Sequence, residues 1–116
     1  MPTVGQAQRL ICMTVLSMLR SACSEATEAS DESGGEPEYQ NPANAAELAL
    51  EAVQRLMASL PCDVNDFSAA WWRAQSVAGL AADAYPDKDA TAWRLLNGAV
   101  RQFKALHAVL ERAGAE

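Results

Sequence analysis

The residues able to do chemistry in this chain are three cysteines, one histidine and a set of basic and aromatic side chains at helical spacing. Cys12, Cys23 and Cys62 are odd in number and show no C-x-x-C spacing, and only His107 is present to complete a ligand set, so the sequence predicts no zinc or iron–sulfur site. Cys12 and Cys23 stand about three helical turns apart and read as small buried hydrophobes, with thiols reduced in a cytoplasmic setting. General-base chemistry at His107 needs a positioned acid or nucleophile, and no local motif supplies one. His107 therefore reads as a partly buried structural residue near Trp93 and Val100. The chain carries no Walker loop, no G-x-G-x-x-G and no H-E-x-x-H. Catalytic residues, cofactors and metals are accordingly not predicted, and the chain reads as a non-enzyme.

The aromatic and apolar residues point instead to recognition. Trp71 and Trp72 are adjacent, so on a helix they diverge by about 100° and cannot both enter one seam. Trp71 and Trp93 read as core. Trp72 lies across the wheel from Ala74, and an alanine-faced core leaves it outside, where a large ring can anchor a protein interface. The stretch Leu10, Ile11, Met13, Val15, Leu16, Met18 and Leu19 is apolar around more of its helix than a small core requires, and it is the second candidate contact. Arg94, Arg101, Lys104 and Arg112 form a regularly spaced basic stripe, which reads as a solvated helix face.

Those residues must be positioned by helices. Apolar periodicity near 3.6 predicts a first helix over 4–28, a second from the Asn41-Pro42 cap to about Leu60, a third from about Phe67 to Tyr85 and a last from Asp87 or Asp89 to about Arg112. Leu48, Ala49, Ala52, Val53, Leu56 and Leu60 are assigned to the inner side of the second helix. The third helix turns Ala70, Ala74, Ala78 and Ala81 inward between Phe67 and Tyr85, which permits a close helix approach. Between the first two helices, Glu25 to Asn44 combines six carboxylates with Ser33-Gly34-Gly35 and Pro37, a linker composition. The expected architecture is all-α, a small bundle of about four helices. It divides into an apolar N-terminal helix over 1–28, mobile on an acidic flexible linker over 29–44, and a three-helix core within 41–116.

At 116 residues the chain is one small domain, and 24 of its apolar residues are alanine, so the core is thin and a second copy or a partner is expected to cover part of it. A homodimer is the expected self-assembly. Nine Lys and Arg against fifteen Asp and Glu give a net charge of −6, which disfavours direct binding to nucleic acid or an anionic membrane surface. The excess is concentrated before residue 86, and it is expected to steer the chain toward a basic face of its partner. The run Leu10 to Leu19 lies between Arg9 and Arg20 and is too short to span a bilayer. Arg20 also occupies the position where a lipoprotein signal ahead of Cys23 requires an apolar residue, so a cytoplasmic protein is expected.

The acidic helical profile, with its apolar opening Leu10-Ile11-Cys12-Met13 and its tail Ala92-Trp93-Arg94-Leu95-Leu96, resembles the pseudomonad quorum-sensing anti-activators of LuxR-type receptors. The resemblance implies a protein partner that is a transcriptional regulator, bound so that its dimerisation or DNA binding is blocked, with no catalysis. Phage anti-CRISPR inhibitors share the general profile. A helical assembly protein or chaperone acting as a homodimer is the third reading.

Overall fold

The computed structural model describes residues 4–115, with side chains over 5–109. Four helices occupy nearly all of that length: α1 (Val4–Glu32), α2 (Pro37–Ala58), α3 (Val64–Ala84) and α4 (Thr91–Ala115). Short connections reverse the chain between successive helices, α4 closes on α1, and the bundle measures 49 × 23 × 20 Å. The all-helical bundle of four helices expected from periodicity is what forms.

The acidic linker is the main correction. Helix α1 continues to Glu32 and α2 begins at Pro37, so only 33–36 connects them. Ala22, Ala26 and Ser30, four residues apart, are all buried in α1, and the two alanines share a cluster with Ala43 and Ala46 of α2. Low hydrophobicity is no obstacle here, because a seam of small side chains excludes water by close backbone approach rather than by bulk. The carboxylates simply take the outer side. Helix α1 is thus one wall of the bundle, and the division into a separate helix, linker and three-helix core is not what the fold shows.

The α1–α2 reversal explains where each helix ends. Gly34 and Gly35 adopt φ of 79° and 80°, a region that non-glycine residues avoid. The Gly35 amide donates to Ser30 O at 2.9 Å, satisfying a terminal helix carbonyl. Ser30 Oγ donates to Gln40 Oε1 at 2.8 Å, tying α1 to α2, and Gln40 is held in turn by donating its Nε2 to Asn44 Oδ1 of its own helix at 2.9 Å. Pro37, at the first helical position, starts α2. Pro42, expected at that start, lies buried inside the helix, where its missing N–H leaves the Glu38 carbonyl without its usual partner near the helix entrance.

Helix α3 begins earlier than expected, because Asp63 is the cap: its carboxylate accepts the Asn65 amide at 2.8 Å. Its alanine face is inward as expected, with Ala74, Ala78 and Ala81 buried. Before α4, the Asp87 carboxylate accepts the Asp89 amide at 2.9 Å, and the helix itself starts at Thr91. Ala92, Leu96, Ala99 and Phe103 face the core, Leu95 and Leu106 are half-buried, and Arg94, Arg101 and Lys104 lie outside. Arg112 lies outside the described side chains.

The core has two parts along the bundle axis. At one end Ile11, Val15, Leu16, Leu19, Val53, Leu56, Phe67, Trp71 and Phe103 pack as large side chains. At the other the filling is mostly alanine, closed by Tyr85 and Leu96.

Candidate functional site

Trp71 and Trp72 separate as the 100° step requires. Trp71 is fully buried, stacked on Phe67 with centroids 5.7 Å apart and tilted against Phe103 at 4.7 Å. Its indole N–H donates to the Phe103 carbonyl at 2.9 Å. That satisfies the one polar group the ring takes into the core. Trp72 is 57 % exposed and leans on the His107 ring at 6.4 Å. His107 thus sits beside Trp72 at the α3–α4 seam, whereas Trp93 takes Lys88 Nζ over its face at 5.8 Å.

The apolar stretch of α1 divides in the same way. Ile11, Val15, Leu16 and Leu19 are buried in the bulky core, and Met18 is half-buried against it. They are removed from the set of contact candidates, because their helical face is the one α2 and α4 cover. Leu10 is 66 % exposed and Met13 52 %. These two stand off the buried stripe by helical geometry and are left largely uncovered by the neighbouring helices.

Two grooves flank them. Between α1 and α4 an open groove of about 520 Å³ is lined by Leu10, Ile11, Thr14, Leu106 and Val109 among others. Between α1 and α2 a second, also about 520 Å³, is lined by Met13, Leu16, Ser17, Arg20 and Met57. Val109 is 52 % exposed and was not among the residues singled out from the sequence. Its helical offset from Phe103 toward Leu106 was the available signal. Leu80 is 66 % exposed, and Leu48, assigned to the inner side of α2, is 59 % exposed. Ala46 rather than Leu48 fills that inner position, which places Leu48 across the wheel.

The three cysteines are free thiols. Burial, reinforced by nearby Cys62, pushes the Cys12 thiol up to about 12, and burial with the neighbouring Glu47 carboxylate pushes Cys23 up to about 11. The Cys62 thiol is raised as well, by desolvation and then by Asp66 and Asp63. Thiols held protonated in this way are poor nucleophiles and metal ligands near neutral pH. Among the described residues no group of three His, Cys, Asp or Glu side chains converges to hold a metal ion. No described helix is long and apolar enough to cross a membrane.

What the arrangement can do is present large apolar side chains to another macromolecule. No protein-family model, curated protein or solved structure matches the chain.

Proposed function

We propose that this chain is a non-enzymatic regulatory protein that acts by occupying a protein partner. The particular reading is an anti-activator of a LuxR-type quorum-sensing receptor that prevents the receptor's dimerisation or DNA binding. The observation that carries the reading is the exposure of Leu10, Met13 and Trp72 at the end of the bundle whose core is already filled with large side chains. Large aromatic residues such as Trp are frequent energetic anchors where two proteins meet, and apolar neighbours around them exclude water from the contact. Helix-in-groove recognition uses apolar anchors at the spacing seen in α1.

The test is direct. Purified chain is titrated into the host's LuxR-type receptor, and receptor dimerisation is followed by size-exclusion with light scattering alongside operator binding by fluorescence anisotropy. The expected result is a complex that no longer binds operator, lost in Leu10→Asp and Trp72→Ala variants whose circular dichroism matches the parent. A receptor that dimerises and binds operator normally in saturating chain overturns the anti-activator reading.

A further inference from the structure

The chain reverses between α2 and α3 over 59–63, so these two helices run antiparallel, and an open groove of about 450 Å³ follows their seam. Arg55 of α2 and Arg73 of α3 both line it, as do Ala52, Leu56 and Ala70. Each arginine follows an alanine of the groove by three residues, so each wall carries a short side chain one turn from a long cationic one. Helical side chains leave the backbone leaning toward the N-terminus of their own helix. Arg55 lies within a turn of the connection and Arg73 more than two turns from it. In antiparallel helices those leans oppose each other, so the two arginines set out toward one another across Ala52 and Ala70. Both are exposed, and neither pairs with a described carboxylate, although Glu51 stands one turn from Arg55 and Asp66 two turns from Arg73.

We propose that this groove binds a small organic carboxylate, its acidic group held between Arg55 and Arg73 and its apolar body laid on Ala52, Leu56 and Ala70. The inference goes beyond the reading of the chain as a protein-binding regulator and does not depend on it. A guanidinium is a planar fork that matches the two oxygens of a carboxylate. Two such forks from opposite walls select an anion over a neutral molecule of the same shape. Leu56 is buried and the two alanines half-buried, so the floor is apolar and an aliphatic or aromatic body sheds water there. The volume suits a small molecule, whose sites run from roughly 300 to 1,000 Å³. Asp66 lines the groove at the connection end, where its carboxylate repels a second negative group. That sets the ligand's charge low and disfavours a polyphosphate or a nucleic-acid backbone.

Cys62 lines the same groove with its thiol half-buried, which makes it a local reporter. The full chain is titrated with 3-phenylpropanoate at fixed ionic strength, and alkylation of Cys62 by iodoacetamide is followed by mass spectrometry of the Cys62 peptide. The neutral 3-phenylpropanamide is the control. The expected result is a saturable slowing by the carboxylate and little by the amide. The midpoint of that saturation rises about fivefold or more in Arg55→Gln and in Arg73→Gln, each with parental circular dichroism and urea midpoint, and falls in Asp66→Asn. Arg101→Gln, on α4 outside the groove, leaves it unchanged. Equal slowing by acid and amide, a midpoint indifferent to both groove arginines, or no slowing at about 50 mM carboxylate overturns the proposal.

Discussion

The two ends of the bundle are built on different principles. At one end, defined by 4–20, 49–78 and 99–109, large side chains fill the core, and five of the seven exposed large apolar residues lie around it: Leu10, Met13, Val64, Trp72 and Val109. That end carries six Lys and Arg against three Asp and Glu. At the other end, 21–48 and 79–98, the helices meet on alanine and carry ten carboxylates against two cations. The contrast teaches that the same large residue types fill the core and remain exposed at one end of the bundle. Where bulk is available it fills the core and spills onto the surface, and where the helices approach closely the surface is left to charge and solubility.

The largest expected effect separates the adjacent tryptophans. Trp71→Ala removes a fully buried ring and its hydrogen bond and is expected to cost about 3–5 kcal/mol, read from urea unfolding. Trp72→Ala, beside it in sequence, is expected to cost less than about 1 kcal/mol. Equal losses would mean that the exposed ring is part of the core after all.

The alanine end is expected to respond in the opposite sense, to gain of volume. Ala46→Leu, at a fully buried α1–α2 contact, is expected to cost about 1–3 kcal/mol by forcing the helices apart. A stabilised variant would show that this end holds spare volume.

The pH response sharpens the comparison through Cys12, at the bulky end. Its folded value of about 12 lies above the ordinary 9.0, so the native state retains this proton where the unfolded chain has lost it. Stability is therefore fully present below about pH 9 and falls as pH rises through the interval toward 12. Tyr85, raised by burial, acts with the same sign. Urea midpoints compared at about pH 8 and about pH 10 are expected to drop in the parent chain, and less in Cys12→Ala. An unchanged midpoint in the parent would contradict the burial of that thiol.

The smallest effects come from two helical glycines. A Cβ at Gly79 meets open space, whereas one at Gly98 comes within 3.3 Å of Met18 Sδ. Gly79→Ala is expected to stabilise by about 0.5–1 kcal/mol through helix propensity. Gly98→Ala is expected to gain less, because Met18 must shift at the α1–α4 contact. Thermal unfolding of the two variants ranks them, and an equal gain would show that Met18 yields freely.

Much of this was legible in the residues. The inward alanines of α3, the buried Trp71, the exposed Trp72 and the outward Leu10 and Met13 follow from a step of about 100° per residue. The acidic stretch after Glu25 looks like a linker by composition, which weighs side-chain bulk, while Ala22, Ala26 and Ser30 are buried by virtue of being small. Leu48 looks inward by size, but it stands about 200° from the buried Ala46 on the α2 wheel and faces out.

The sequence by itself determined four amphipathic helices and the direction in which most large side chains point, since these depend on periodicity and local backbone chemistry. Only the tertiary structure decided that α4 closes on α1, bringing helices from opposite ends of the chain together and leaving Leu10 and Val109 on the two walls of one groove. Periodicity assigns a face to each helix, but which helix covers that face is settled by long-range packing.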